Sequence, residues 1–151
     1  MSEPDDGARP RGADSIEHVE GRTAADVMHA RLGSLPAATT VAEVRAWFAA
    51  SASRRLATFA ADEADGGRYL GALAADELPP EGDAAVEADA AVVFAGDHPT
   101  IPAGAPAAAA RALVLASPAK RVPVLDADGR LVGVVALDKT RTRFCGIASA
   151  R

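Results

Sequence analysis

The side chains able to do metal or nucleophilic chemistry are few in this chain. His18, His29, His98 and Cys145 are the only soft ligands among 151 residues, and no two of them stand at the close pair spacing of a zinc site. A nucleophilic Cys145 would need an orienting base, and no nucleophile-elbow or metal-hydrolase motif supplies one. Gly66-Gly67 is hairpin chemistry rather than a phosphate-cradling loop. The other reactive groups are basic: Arg54, Arg55, Lys120 and Arg121, then Lys139, Arg141 and Arg143. Their guanidinium and ammonium groups could hold phosphate. A solvated surface is the default for any one of them. The residues point away from an enzyme.

The elements that must position these groups centre on one stretch. Val122, Val124 and Leu125 precede Asp126-Ala127-Asp128-Gly129, and Leu131, Val132, Val134 and Val135 follow it, which is the signature of a β-hairpin with a tight acidic turn. Apolar residues on both faces of each strand predict a sheet covered by helices on at least one side. Upstream, Thr23 with Asp26 and Thr40 with Glu43 are capping-box spacings. They predict a short helix ending before Gly33 and a second from about 41 to 52. Arg54 to Phe59 and Tyr69 to Leu73 read as strands around the turn 62–67. A short helical segment follows from Ala74 to Leu78, stopped by Pro79-Pro80. Gly82 to Asp89 reads as an acidic linker, Ile101-Pro102 as the approach to a helix with Pro106 in its first turn, and Ala136 to Thr142 as a closing helix.

The totals bound the partners. With 21 acidic against 16 basic residues the chain carries a formal charge of −5, which gives no general attraction to nucleic acid or to an anionic membrane. One cysteine excludes an internal disulfide, in keeping with a reducing cytoplasm, although many secreted proteins also lack disulfides. Met1-Ser2-Glu3-Pro4-Asp5-Asp6 has no basic, apolar leader pattern, and no apolar run spans a bilayer. A cytoplasmic, soluble protein is expected.

The two halves repeat. A shift of 66 residues lays Pro36 on Pro102, Arg45 on Arg111, Ser51 on Ser117, Arg55 on Arg121 and Val27-Met28 on Val93-Phe94. After the hairpin turn the shift falls to 62, laying Arg68 on Arg130 and Gly71 on Gly133. Matched order of strand, turn and helix signals is what a duplicated supersecondary unit produces.

Asp26-Val27-Met28, the apolar-Pro step, the amphipathic helix, then Arg121-Val122-Pro123-Val124-Leu125-Asp126 and Gly129-Arg130-Leu131-Val132-Gly133-Val134-Val135 together resemble a pair of CBS domains. The resemblance covers about Thr23 to Arg143. It implies an α/β (α+β) fold of tandem β-α-β-β-α units packed through their sheets with pseudo-twofold symmetry, commonly assembled as a homodimer. The expected divisions are an arm at 1–21, a first unit at 22–81, a linker at 82–89, a second unit at 90–143 and a tail at 144–151. The arm holds little to bury, so it should be disordered or weakly attached.

The resemblance also implies clefts for an adenosyl ligand: AMP, ADP, ATP or S-adenosylmethionine. In responsive members a Gly-apolar-apolar-Thr/Ser-x-x-Asp run holds the ribose, a role that suits a carboxylate because it accepts from both hydroxyls of a diol. Here Gly71-Ala72-Leu73 leads to Ala74 and Glu77, while Gly133-Val134-Val135 leads to Ala136 and Lys139. Asp76 and Asp138 stand one residue early, turned about 100° away around a helix. Glu77 is therefore the surviving ribose candidate, Lys139 and Arg121 candidates for phosphate, and Thr100-Ile101 with Val122-Pro123 the candidate lining for the base. Two functions stay open: a non-enzymatic regulatory module that binds an adenosyl nucleotide and signals through its dimer to an unknown protein partner, or a ligand-free dimerisation scaffold.

Overall fold

The computed structural model describes residues 21–29, 34–61, 67–137 and 144. In chain order these form α1 (Ala24–Val27), α2 (Val41–Ala49), β1 (Leu56–Ala60), β2 (Tyr69–Ala74), a 3-10 turn (Ala75–Glu77), α3 (Ala84–Glu87), a second 3-10 turn (Ala91–Phe94), β3 (Ile101–Pro102), α4 (Ala107–Ala116), β4 (Arg121–Leu125) and β5 (Leu131–Ala136). β1 and β2 make one antiparallel sheet. β3, β4 and β5 make the other, with β3 parallel to β4 and β4 antiparallel to β5.

Local chemistry sets the boundaries. Thr40 Oγ1 accepts from the Glu43 N–H at 3.1 Å, and Glu43 Oε1 accepts from the Thr40 N–H at 2.9 Å, a reciprocal cap that starts α2. At α1 the Asp26 carboxylate accepts from both the Thr23 N–H at 2.8 Å and the Thr23 hydroxyl at 3.1 Å. The hairpin turn closes on Asp126, whose Oδ1 accepts from the N–H groups of Asp128 and Arg130, each at 2.9 Å. Gly129 takes the positive φ of 82° that the turn requires.

Several elements differ from the sequence reading. α2 stops at Ala49 and α1 spans one turn. The acidic stretch expected as a linker carries the one-turn helix α3, because Asp83 Oδ1 accepts from the Ala85 N–H at 3.0 Å and caps it. Ile101-Pro102 is a strand rather than only an approach to α4, since the Ala103 N–H donates to the Leu125 carbonyl at 2.8 Å. Ala136 ends β5 and Leu137 pairs with Phe144; the rest of the expected closing helix lies outside the described residues.

The repeat is real and its register can be read from hydrogen bonds. α2 and α4 correspond at the shift of 66, with Val41 and Val44 buried where Ala107 and Ala110 are. The strands correspond differently. Leu56 faces Ala74 while Arg121 faces Ala136, and the bulges fall at Phe59/Ala60 and Val124/Leu125, so β1 maps onto β4 with a shift of 65. Arg121 is thus the counterpart of Leu56, one residue from the sequence alignment that paired it with Arg55. The one-residue difference is absorbed before β4, where Lys120 adopts φ 59°.

A second rearrangement defines the core. α1 packs on the second half: Ala24 and Val27 join Ile101, Ala107, Ala110, Val114, Val122, Val124 and Val135 in one apolar cluster. Reciprocally, Ala91 and its neighbours Val92 and Phe94 pack with Val41, Val44, Ala57, Phe59 and Leu73. Each unit is completed by the segment that precedes the other. His29 pairs with Val134 as Gly96 pairs with Ala72, which places the exchanged segments 67 residues apart rather than 66. Gly71 and Gly133 make this approach available. A Cβ on Gly133 would lie 2.8 Å from the His29 carbonyl oxygen and closer still to the Met28 side chain, and one on Gly71 would lie 3.1 Å from Ala95 Cβ.

The pseudo-twofold axis passes between Arg68 and Arg130, which face each other in an antiparallel bridge. The Tyr69 N–H donates to the Gly129 carbonyl at 3.0 Å and the Leu131 N–H to the Gly67 carbonyl at 3.2 Å, a pair of bonds that exchange under the twofold. Tyr69 joins Leu56, Ala72, Ala74 and Ala119 in a third cluster that joins the halves. Burial of this phenol pushes its pKa up to about 12. Because it is the only tyrosine, absorbance titration near 295 nm reports it alone. We expect a midpoint about two units above that of the urea-unfolded chain. Since the folded pKa is raised, the unfolded state ionises first, and stability falls as pH rises past about 10.

Candidate functional site

Glu77 was the strongest site residue in the sequence, and its carboxylate is already engaged. Its Oε1 accepts from the Ala74 N–H at 2.7 Å and lies 2.7 Å from His98 Nε2. The first contact follows from spacing: Ala74 precedes the 3-10 turn as its cap, and Glu77 stands three residues on, at the position from which an acid reaches back to the cap N–H. Ala74 has no hydroxyl to return the bond. The second contact was not legible, because His98 is 21 residues away in sequence. It sits between the Gly96 bridge and β3, so the pair joins the end of the first hairpin to the segment that leads into the second sheet.

The ring of His98 is nearly shut off from water, with a side-chain exposure of 6% against 32% for Glu77. Gly96 makes room for the acid, since a Cβ there would overlap the carboxylate. The Gly96 N–H donates to the Ala72 carbonyl at 2.9 Å, which fixes this segment beside β2. Burial by itself would raise the Glu77 pKa, but the Ala74 N–H and His98 outweigh it and hold the carboxyl below its ordinary value. His98 Nδ1 is buried without a partner among the described residues.

The other candidates distribute around this pair. Ile101 is 3% exposed and belongs to the apolar cluster of the second half. Val122 is fully buried in the same cluster, and Pro123 is buried on the opposite face of β4. Ile101 faces Val124 in parallel register, so Thr100, half-buried, lies level with Pro123. The structure thus brings Glu77 to the segment that carries Thr100, and Thr100 to Pro123. It leaves Ile101 and Val122 facing the core.

Three of the basic candidates, Arg54, Lys120 and Arg121, donate to backbone carbonyls. Lys120 Nζ donates to the Leu115 carbonyl at 2.7 Å, closing the last turn of α4. Arg121 donates to the Lys120 carbonyl at 2.9 Å and to the Ser53 carbonyl at 3.3 Å. Arg54 donates to the Trp47 carbonyl at 2.8 Å with its guanidinium 4.7 Å from the indole centroid. Arg55 is exposed. Lys139, Arg141, Arg143 and Asp138 lie outside the described residues. So do His18 and Cys145; among the described residues no cluster of three or more His, Cys, Asp or Glu side chains could hold a metal ion. Also among the described residues, no helix is long and apolar enough to cross a membrane.

Two sheets, two units completed by exchanged segments and a twofold through the hairpin tips are the fold of a CBS domain pair. No protein-family model and no curated protein sequence matches the chain. Solved structures do. The cystathionine beta-synthase pair domain from Shewanella oneidensis MR-1 superimposes with a TM-score of 0.62 at 16% identity, over 82% of this chain and 65% of that one. This chain therefore spans just under two thirds of the Shewanella structure. The CBS-pair protein CBSX2 from Arabidopsis thaliana gives a TM-score of 0.62 at 17% identity, over 85% of this chain and 93% of that one. CBSX2 has also been solved in complex with AMP, which superimposes with a TM-score of 0.60 at 17% identity, over 85% and 95% of the two chains.

Proposed function

We propose that this chain is a non-enzymatic regulatory CBS-pair module that takes an adenosyl nucleotide between its two units and signals the occupancy through a cytoplasmic homodimer to a protein partner. The observation that carries the reading is its fold, shared with a CBS-pair protein solved in complex with AMP. In this reading the unit boundaries are 22–81 and 90–143, and the ligand edge runs from Glu77 through Thr100 to Pro123. Arg121 and Lys139 are the candidate phosphate contacts. A ligand at about 100 times its dissociation constant adds near 2.7 kcal/mol to the folded state. Thermal melts with AMP, ADP, ATP and S-adenosylmethionine should therefore show a rise of several degrees for one of them. Calorimetric silence and an unmoved melt with all four would remove nucleotide sensing.

A second reading is favoured by a specific observation. Glu77 already accepts from Ala74 and contacts His98, and alanines stand at both positions where a ribose hydroxyl partner belongs, Ala74 and Ala136. A nucleotide would have to displace these bonds, each worth roughly 1 kcal/mol net. The chain would then be a dimerisation scaffold without ligand. That reading requires a dimer at micromolar concentration with no nucleotide response, and a monomer in sedimentation removes it.

A further inference from the structure

Glu77 turns both of its carboxylate oxygens inward. Oε1 accepts from the Ala74 N–H and lies 2.7 Å from His98 Nε2, while Oε2 folds over Gly96, where a Cβ would overlap it. A carboxylate that grips a diol needs both oxygens free to accept. The acid is nevertheless within reach of a solute, since its side chain keeps 32% exposure against 6% for His98.

His98 is held on one side only. The contact with Glu77 is the one polar contact of its ring among the described residues. An ionised carboxylate accepts, so Nε2 carries the proton, and in the neutral ring Nδ1 is then a bare acceptor. That acceptor is buried and has no donor among the described residues. Turning the ring out to water would break one hydrogen bond and hydrate a nitrogen that burial leaves stranded. The Arg45–Glu87 pair shows the contrast: Nε and Nη2 bond the two carboxylate oxygens, and Nη2 also donates to the Pro79 carbonyl at 2.8 Å. That pair is built to stay closed, and the Glu77–His98 pair is not.

Gly96 supplies the seat for the closed form. The three atoms nearest to a Cβ there all belong to the Glu77 carboxyl, the far end of a flexible side chain. Gly96 is not among the glycines of positive φ, so its backbone accepts an alanine. We propose that His98, with Gly96 as the seat, is an internal lock on the nucleotide site: it holds the Glu77 carboxylate turned inward, and a nucleotide binds only by taking that carboxylate from it. The lock presupposes the nucleotide reading and adds what regulates it. Closed and open forms compete, so the apparent affinity is the intrinsic one reduced by the open fraction.

Calorimetric titration of the full chain with AMP, ADP, ATP and S-adenosylmethionine tests the lock. His98→Phe keeps the bulk of the ring and removes its donor, and Gly96→Ala evicts the carboxylate while leaving both partners in place. Each should tighten the binding of one of the four by about two- to tenfold, the factor that one net hydrogen bond corresponds to. Adding Glu77→Gln to either should cancel the gain. A nucleotide that binds the unaltered chain, and neither variant more tightly, overturns the lock and leaves the nucleotide reading in place. Silence from every chain, both variants included, overturns the two together. If neither variant folds, the His98 ring nitrogens of the unaltered chain decide: saturating nucleotide should move the Nε2 resonance, and an unmoved one overturns the lock.

Discussion

Gly133→Ala is expected to destabilise the protein by about 2 to 3 kcal/mol, at the upper end of what overpacking costs. A β-carbon at this point of β5 would lie 2.8 Å from the His29 carbonyl oxygen and inside the Met28 side chain. The thioether can swing away, but the carbonyl cannot, because the Val134 N–H donates to it at 3.1 Å while the His29 N–H donates to the Val134 carbonyl at 2.9 Å. The added methyl must either break this bridge or push α1 out of the cluster that Ala24 and Val27 help to build. Urea denaturation gives the measurement. Gly133→Ala with Met28→Ala should recover only part of the loss, since the clash with the backbone remains. Full recovery would place the strain in the side chain alone and contradict the exchanged-segment account.

Glu77→Ala should cost about 2 to 4 kcal/mol, because it leaves two groups wanting a partner, each worth about 1 to 3 kcal/mol when buried. One is the Ala74 N–H at the end of β2. The other is His98, whose second ring nitrogen already has no partner among the described residues. Glu77→Gln keeps an acceptor for the Ala74 N–H and should lose less at neutral pH. The acid limb separates charge from hydrogen bonding. The folded pKa of Glu77 is depressed, so its ionised form contributes stability that is fully present above the ordinary carboxyl value of 4.5 and lost as pH falls through the folded pKa. Urea midpoints followed from about pH 7 down to about pH 3 should flatten in Glu77→Gln relative to the unaltered chain. An unchanged acid slope would mean that the Glu77–His98 contact carries no stability.

Both expectations rest on contacts that the sequence signalled only in part. Gly71 and Gly133 were visible as aligned glycines, but nothing along the strand said what approached them. The capping-box spacing from Ala74 to Glu77 was present in the sequence, and it explains one of the two bonds of the carboxylate. The resemblance assigns the same position to a ribose contact. Arg45 aligns with Arg111, while Glu87, the acid that bonds Arg45, lies in the stretch expected as a linker. Capping of α3 by Asp83 turned that stretch into a helix and put Glu87 within reach.

The hairpin, both capping boxes, the duplication and the mixed α+β class were determined by the sequence alone, because each rests on interactions between residues close in the chain or on a pattern repeated along it. Where the segments before each unit go was decided only by tertiary structure. Their apolar residues are too few to state a destination, and the exchange of α1 and Ala91–Phe94 between units depends on which strand leaves backbone room beside a glycine. The same holds for the site. The sequence placed Glu77 at the end of a strand, and the fold alone brought His98 to it, giving the carboxylate an internal partner.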